Sequence, residues 1–278
     1  MRNVEINLEK QRFTPGELIK GTLVVTTDEH FESKNAVITL AGILTAKGTS
    51  THTSRHGMTS TSTDTSYYNI LNDVYDFNRE NGFESGTHKI GFQFELPKSA
   101  TISYVGPNGE VKYNLDAEMK ISWRSKLRAS SPIVIFNSIS DLPHEPANGQ
   151  EHHENDIILD VKVDSTKYCI GSDISFMYLV NTDMKFKQIR FRVEHREVTT
   201  VHGKGPVFST KVLCEEKIPE QNVVRNQWNN HTLKIDTPVP PTLLCDNINS
   251  TIVLEVTIGR SFRLDKCVEI PLISGYCP

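Results

Sequence analysis

Apolar and polar side chains alternate at every second position, without a break, from Val111 to Arg124. Successive side chains of a β-strand point to opposite faces of its sheet, so this period of two predicts a long strand with one apolar and one polar face. A second sheet has to cover the apolar face, whereas water can cover the polar face. The stretch therefore predicts an antiparallel β-sandwich.

The second half of the chain repeats landmarks of the first half in the same order. The stretch Ser250–Ile258 alternates like the long strand, and shorter patterns recur with it. The matched stretches are Phe13–Leu18 with Tyr168–Ile174, His88–Phe92 with His231–Ile235, and Lys112–Met119 with Thr251–Ile258. A repeated strand pattern of this kind predicts an all-β fold with two tandem immunoglobulin-like β-sandwich domains.

The composition changes between Ser140 and Asn155, where proline, glycine, histidine and acidic residues follow no period. Such a stretch is typical of a connection between domains. The sequence therefore predicts an N-terminal β-sandwich at 1–140, a linker at 141–155 and a C-terminal β-sandwich at 156–278.

A second polar stretch, Gly48–Ser66, is rich in serine, threonine, histidine and glycine. Few of these side chains can be buried, so the stretch predicts a mobile hairpin tip or loop. Two interpretations remain open for it: a loop that binds a partner or is phosphorylated, and a solvated connection with no role of its own.

The chain has 278 residues and a formal charge of −4. Its length suits two sandwiches of about 100 to 150 residues each. The slightly acidic charge argues against a general nucleic-acid-binding protein. The sequence has no apolar segment of signal-peptide length at its N-terminus and no stretch near the roughly 20 apolar residues of a membrane span. These features predict a cytoplasmic protein.

The five cysteines are odd in number, lie in the second half and show no Cys-x-x-Cys spacing. This pattern predicts reduced thiols rather than a disulfide framework or a zinc site. It also argues against the alternative of an extracellular pair of adhesion or lectin-like sandwiches.

No motif of a serine hydrolase, a phosphate-binding loop or a zinc protease is present in the sequence. Asp116 and Glu118 share the polar face of the long strand, about 7 Å apart. They alternate with lysines, which favours a charged surface over an acid–base pair. His144, His152 and His153 are interpreted as solvated linker residues. The sequence thus predicts no enzyme, no metal site and no cofactor.

A first candidate site for an anion or an acidic partner lies at and just past the end of the long strand. Arg124, Lys126 and Arg128 stand there beside several serines. Such a group can bind a phosphate or an acidic lipid headgroup. The alternative is an ordinary charged loop.

A second candidate site is a basic stripe of Arg190, Arg192 and Arg196, which face the same way as Glu194 on a predicted strand. A stripe of this kind on an exposed sheet face suits acidic protein tails or an anionic membrane. The alternative is a solvated face. An unpaired edge strand, which can accept an extended peptide, is a further candidate.

Motifs that run in order over nearly the whole chain resemble those of the arrestin family, most closely the α-arrestins (arrestin-domain-containing proteins). In the first half they are Phe13-x-Pro15-Gly16-Glu17-x-x-x-Gly21, Gly86-x-His88-x-x-x-Phe92-x-Phe94-x-Leu96-Pro97 and Gly109-x-Val111-x-Tyr113-x-Leu115-x-Ala117. In the second half they are Tyr168-x-x-Gly171-x-x-Ile174, Val180-Asn181, Lys187-Gln188-Ile189-Arg190-Phe191, Pro238-Val239-Pro240-Pro241 and Ile270-Pro271-Leu272-Ile273.

The resemblance implies two arrestin-like β-sandwich domains without catalytic activity. It also implies an adaptor in trafficking or signalling that binds cytoplasmic tails of membrane proteins and links them to ubiquitin ligases or endocytic machinery. Such a cytoplasmic protein is recruited to the plasma membrane or to endosomes. The alternative is a structural subunit of an endosomal coat that resembles the arrestin-fold component of retromer.

Two positions depart from the family pattern. Many α-arrestins recruit ubiquitin ligases through Pro-Pro-x-Tyr motifs, whereas Pro240-Pro241-Thr242-Leu243 lacks the tyrosine and no other match is present. Visual and β-arrestins carry a buried arginine in the strand that closes the first domain, and the aligned residue here is Asn137. An amide in place of a charge predicts that a phosphate-triggered switch is absent.

Overall fold

The computed structural model describes residues 2–33, 35–53, 58–78, 82–121, 125–139, 145–153, 156–181, 185–259 and 265–277. These ranges contain strands, a 3-10 turn at Glu220–Asn222 and no helix that would be long and apolar enough to cross a membrane. The strands are β1 (Arg2–Leu8), β2 (Arg12–Phe13), β3 (Leu18–Thr27), β4 (Asn35–Thr53), β5 (Thr59–Asp76), β6 (Gly86–Glu95), β7 (Tyr104–Val105), β8 (Gly109–Lys120), β9 (Lys126–Ile135), β10 (Ala147–His153), β11 (Asp156–Val163), β12 (Lys167–Cys169), β13 (Ile174–Val180), β14 (Gln188–Thr199), β15 (Val207–Pro219), β16 (Trp228–Leu233), β17 (Leu243–Cys245), β18 (Ile248–Gly259) and β19 (Lys266–Gly275).

One compact unit, here called the first module, comprises Met1–Lys47, Thr63–Val105 and Gly109–Asn137. Its strands form a three-stranded sheet in the order β1-β3-β6. They also form a six-stranded sheet in the order β2-β9-β8-β4-β5, in which β7 pairs with β8. Leu23 of the smaller sheet and Leu115 of the larger sheet are fully buried. Burial of such inward side chains between two sheets is the main stabilising contribution in a sandwich.

The second compact unit, the second module, comprises Gly48–Ser62, Gly106–Asn108 and Ser138–Pro278. Its strands form a four-stranded sheet in the order β10-β11-β13-β16. They also form a six-stranded sheet in the order β12-β19-β18-β14-β15, in which β17 pairs with β18. The core includes Leu159 of the first of these sheets and Phe191 of the second.

The two six-stranded sheets have the same topology. Strands β2, β9, β8, β4, β5 and β7 of the first module correspond to β12, β19, β18, β14, β15 and β17 of the second. The pairs β2–β9 and β12–β19 are parallel in both sheets. The matched stretches Lys112–Met119 and Thr251–Ile258 lie in the corresponding strands β8 and β18. The predicted all-β fold with two tandem β-sandwiches is therefore confirmed.

The long alternating stretch forms β8 as far as Lys120, while residues 122–124 lie outside the described ranges. Its apolar side chains are buried and its polar side chains point away from the core. The buried set is Val111, Tyr113, Leu115, Ala117 and Met119. Antiparallel pairing with β4 on one side and β9 on the other holds β8 near the centre of the sheet.

A proline stands near one edge of each six-stranded sheet. In β9 the backbone N–H of Val134 donates to Gln11, and in β19 that of Ile273 donates to Thr166. Pro132 and Pro271 come two residues earlier, so their nitrogens point to the same edge. A proline has no N–H to donate, and it is tolerated in a strand where that position faces an unpaired edge.

The described part of the predicted linker 141–155 is ordered as strand β10, which corrects that interpretation. β10 pairs with β11, and the Gln150 amide donates to Asp160 Oδ2 at 2.8 Å. Its sequence shows no apolar period because Gly149 lies on its inward side, where a Cβ atom would come within 2.4 Å of Val268 Cγ1. Close packing of β10 therefore requires the glycine, not an apolar side chain.

The stretch Gly48–Ser66, interpreted as a loop, continues β4 to Thr53 and begins β5 at Thr59. Residues 54–57 lie outside the described ranges. Threonine has a high strand propensity, but a strand with little burial on either face shows no apolar period. The polar composition therefore gave no sign of the two strands.

The prediction of reduced thiols is wrong for two of the five cysteines. Cys169 and Cys277 form a disulfide bond, with their Cα atoms 5.5 Å apart and a sequence separation of 108. The parallel pairing of β12 with the end of β19 brings the two residues together. Cys214, Cys245 and Cys267 are free thiols.

Candidate functional site

Strand β14 carries the predicted basic stripe on the outward face of the second module's six-stranded sheet. Ile189 and Phe191 alternate with the arginines and are fully buried. Because side chains alternate along a strand, Arg190, Arg192 and Arg196 lie on the opposite, outward face. The direction of the stripe thus follows from the alternation that the sequence shows.

Glutamates of the neighbouring strands bind all three arginines directly. Arg190 Nη2 donates to Glu255 Oε1 of β18 at 2.9 Å. Arg196 donates from Nη1 and Nη2 to the two carboxylate oxygens of Glu269 in β19, at 2.8 and 2.7 Å. Paired parallel hydrogen bonds of this kind are the strongest geometry that an arginine and a carboxylate adopt.

Arg192 is bound on two sides. Its Nε and Nη2 atoms donate to Glu215 Oε2 of β15 at 2.8 and 2.5 Å, and its Nη1 donates to Glu194 Oε1 at 3.1 Å. Glu194 is buried and also accepts a hydrogen bond from Arg196 Nε at 3.0 Å. Lys217 Nζ adds an ion pair to Glu215 at 2.7 Å. Glu194 therefore joins two arginines through one carboxylate.

These contacts shift the pKa values of Glu215, Glu269 and Arg192 in favour of their charged forms. The ion pair with Lys217, followed by that with Arg192, lowers the pKa of Glu215 to about 2. The hydrogen bonds from Arg196 lower the pKa of Glu269, although partial burial opposes them. The same pairing with Glu215 raises the pKa of Arg192. All these groups remain ionised throughout the physiological pH range.

Together these side chains form what we call the arginine–glutamate network. It contains four cations and four carboxylates: Arg190, Arg192, Arg196, Lys217, Glu194, Glu215, Glu255 and Glu269. An acidic partner of Arg192 or Arg196 would have to compete with the glutamates that these two arginines already bind. Binding of an acidic partner by Arg190, Arg192 and Arg196 stays a prediction. The sequence placed Glu194 on their face but did not reveal Glu215, Glu255 and Glu269, which come from other strands.

The first basic group has a similar arrangement on a smaller scale. Lys126 Nζ and Arg128 Nε bind the two oxygens of Glu118 in β8, at 2.6 and 3.0 Å. These contacts, with that of Lys126 first, lower the pKa of Glu118. The predicted third member, Arg124, lies outside the described residues. Glu118 therefore serves as a partner of cations and not as half of an acid–base pair.

Three potential metal ligands approach one another next to the network. One ligand atom each of Glu255, Cys267 and Glu269 lies within 4.8 Å of the other two. Arg190 and Arg196 already bind the two carboxylates, and burial raises the pKa of the Cys267 thiol. A protonated thiol and two arginine-bound carboxylates are a poor donor set for a cation.

A buried polar group at the far end of β14 escaped the sequence-based prediction. His195 Nε2 lies 2.9 Å from Ser250 Oγ, and the backbone N–H of Asn108 donates to Glu197 Oε1 at 2.7 Å. Burial lowers the pKa of His195 to about 4, so the ring is neutral near pH 7. Ser250 is fully buried, so a substrate cannot reach its hydroxyl. The alternation of β14, continued past Val193, could have located these inward residues.

Comparison with protein-family models identifies one domain in this chain. Residues 2–140 match the model described as arrestin (or S-antigen), N-terminal domain. The match spans half of the 278 residues and contains strands β1 to β9. It also contains the first-half motifs that resemble arrestins. Together with the β-sandwich architecture of both modules, this match shows that the chain belongs to the arrestin family.

Proposed function

We propose that this protein is a non-enzymatic adaptor that binds cytoplasmic tails of membrane proteins and connects them to trafficking or signalling machinery. The observation that carries the proposal is the arrestin N-terminal domain at residues 2–140, followed by a second module of the same strand order. Two such modules present large outward sheet faces to partners. The proposed partners include ubiquitin ligases and endosomal coat proteins, and the proposed location is the cytoplasm, with recruitment to the plasma membrane or endosomes.

Within the family, we place the chain with the α-arrestins. Asn137 supports this placement, because it stands where the resemblance aligns the switch arginine of visual and β-arrestins. Asn137 is exposed, so the position holds no buried charge that a phosphate could release. Residues 1–278 contain no Pro-Pro-x-Tyr motif, so binding of a ubiquitin ligase by these residues would use another surface.

Proximity labelling in the native cell, followed by binding of the purified protein to immobilised cytoplasmic tails, tests the adaptor function. We expect labelled membrane proteins whose isolated tails bind the purified protein reversibly. A stable complex of fixed stoichiometry with coat subunits, measured by native mass spectrometry, would instead favour the retromer-like alternative. Labelling of neither class would contradict both functions.

Sedimentation with liposomes tests the proposed contact with anionic membranes. If the basic residues contribute, binding to phosphatidylserine vesicles should fall with salt and fall again in R190E/R192E/R196E or K126E/R128E. Circular dichroism has to show that each variant is folded, since the arginines also hold buried Glu194. Unchanged binding by folded variants would eliminate both groups as membrane contacts.

A further inference from the structure

A cavity of about 520 Å³ lies on the outward face of the six-stranded sheet of the first module. Strand β8 forms its floor from Glu110 to Asp116, and β4, β5, β7 and β9 form its sides. Seven residues of extended strand cover about 20 Å, so the cavity has the length of a short extended peptide. We call it the β8 cavity.

Apolar side chains that point to solvent surround the β8 cavity. Tyr67 is 74% exposed, Val105 is 67% exposed, Ile43 is 41% exposed and Val134 is 36% exposed. These four residues come from four different strands, so they form one patch and not a series of isolated positions. A contiguous exposed apolar patch with a polar rim is typical of a surface that a partner covers.

The charges along β8 leave one carboxylate without a cation. Lys112 Nζ pairs with Glu110 at 2.7 Å, and Lys126 and Arg128 pair with Glu118. Asp116 lies between these two groups and is exposed, and no residue in the described ranges forms an ion pair or hydrogen bond with its carboxylate. The lining of the β8 cavity therefore has an excess negative charge at Asp116.

Asp116 also borders a second concavity of about 400 Å³ that continues along β8 and β9. Its other lining residues are Ala117, Glu118, Arg128, Ala129 and Ser130. The unpaired carboxylate thus stands where two concave surfaces meet. A ligand that fills the first with apolar groups brings its next residue within reach of Asp116.

We propose that the β8 cavity binds an extended, apolar segment of a partner protein that carries one lysine or arginine. The apolar side chains fill the cavity against Ile43, Val105 and Val134, Tyr67 covers them, and the basic residue forms an ion pair with Asp116. This proposal rests on the adaptor function proposed above, because it assigns that function a surface and a partner chemistry.

Two other occupants fit the same surface less well. An anionic membrane is flat and would meet the negative charge of Asp116, so both shape and charge oppose it. In a twofold dimer the same patch would meet itself and place a cavity against a cavity, which buries little area. A narrow peptide strand has the complementary shape and, with one basic residue, the complementary charge.

Selection from a phage-displayed library of random heptapeptides tests the proposal. We expect the wild-type protein to enrich peptides with apolar residues at alternate positions and one lysine or arginine. Fluorescence anisotropy of the enriched peptides should show at least tenfold weaker binding to V105E. The matched control is L244E, because Leu244 holds the corresponding position of β17 and is 69% exposed. Binding to L244E should change less than twofold.

Charge reversal at Asp116 tests the ion pair. D116K should bind the enriched peptides at least tenfold more weakly, and a peptide with glutamate in place of its basic residue should restore the affinity. Tyr67→Ala is a second cavity variant in case V105E fails to fold, as judged by circular dichroism, and the same tenfold loss is expected.

Several results would overturn the proposal. The first is a selection in which no peptides are enriched, and the second is enrichment of peptides that lack a basic residue. The third is normal binding of the enriched peptides to both cavity variants, and the fourth is an unchanged peptide affinity in D116K. Binding to phosphatidylcholine–phosphatidylserine vesicles that V105E abolishes would assign the patch to a membrane. Self-association in analytical ultracentrifugation that V105E abolishes would assign it to a second copy. If V105E still bound membrane-protein tails, the adaptor function would stand and only this site would fail.

Discussion

The outward faces of the two six-stranded sheets differ, although their strands correspond one to one. The register between the central strands makes the difference clear position by position. In the second module, Arg192, Glu194 and Arg196 of β14 lie opposite Glu255, Val253 and Thr251 of β18. At the corresponding positions of the first module, Thr39, Ala41 and Ile43 of β4 lie opposite Asp116, Asn114 and Lys112 of β8. The long charged side chains of β14 are thus replaced by short or apolar ones in β4.

This difference explains why one face is closed and the other open. In the second module Glu255 is buried and bound by Arg190. Its counterpart Asp116 is exposed and has no ion-pair partner among the residues the structure describes. The shared backbone decides which side chains meet, and their chemistry decides whether they bind one another or remain available. The arginines that stand out in the sequence are therefore less accessible to a partner than the apolar residues that do not.

The largest expected effect comes from the matched core positions Leu115 and Leu254, which are both fully buried. Replacing either leucine with alanine leaves a cavity and should reduce the free energy of unfolding by about 2–5 kcal/mol. Urea denaturation measures the loss, and hydrogen exchange locates it in the first module for L115A and in the second for L254A. A loss below about 1 kcal/mol in one of them would show that the two cores are not equivalent.

A smaller effect is expected from Arg192→Met, which removes one of the two arginines that bind buried Glu194. The variant should lose about 1–3 kcal/mol of unfolding free energy, because a buried carboxylate loses a charged hydrogen-bond donor. The control is Lys112→Met, which breaks the exposed Lys112–Glu110 pair of the first module. That change should cost about 0.5 kcal/mol or less. Equal losses would contradict the contrast between a closed and an open face.

The pH dependence of Glu215→Gln sharpens the same contrast. The pKa of Glu215 is lowered from 4.5 to about 2 in the folded protein. Its ion pairs therefore add stability above pH 4.5, and this contribution disappears as the pH falls toward 2. Because Glu215 is partly exposed, the difference at neutral pH should be about 1 kcal/mol or less. Urea denaturation of both proteins between pH 7 and pH 2.5 measures it, and a difference that grew on acidification would refute the assignment.

The smallest expected effect is a gain. Thr39→Arg places a guanidinium directly opposite Asp116, as Arg192 stands opposite Glu255 in the second module. A cross-strand ion pair should add about 0.2–1 kcal/mol of stability, measurable in thermal unfolding. It should also remove the preference for basic peptides, because Asp116 would then have a partner. An unchanged preference would show that Asp116 does not select the peptide.

Strand patterns with one buried face could be predicted from the sequence. The alternation around Leu115, and its echo around Leu254, indicated two sandwiches because an inward side chain must be apolar. Strands without that signal were missed: β10 packs through Gly149, and the ends of β4 and β5 carry threonine and serine. Period-based reasoning detects burial, and these segments bury little apolar surface.

Contacts between distant strands could not be predicted. The sequence shows the arginines of β14, but their partners Glu215, Glu255 and Glu269 come from three other strands whose registers no local pattern specifies. The bond between Cys169 and Cys277 was missed for the same reason. The β8 cavity is formed by small or apolar residues at outward positions of several strands. A single residue of this kind does not indicate a cavity in the sequence, because the cavity depends on which residues are its neighbours in space.

Pro132 and Pro271 occupy corresponding positions of β9 and β19, each with its ring nitrogen at the sheet edge where only a short parallel strand pairs. Another chain that paired with either sheet at this edge would lack one backbone hydrogen bond, because the proline has no amide hydrogen to donate. The two modules thus share a feature that opposes edge-to-edge aggregation. Pro132 also lines the β8 cavity, so in the first module this feature stands directly beside the exposed apolar residues.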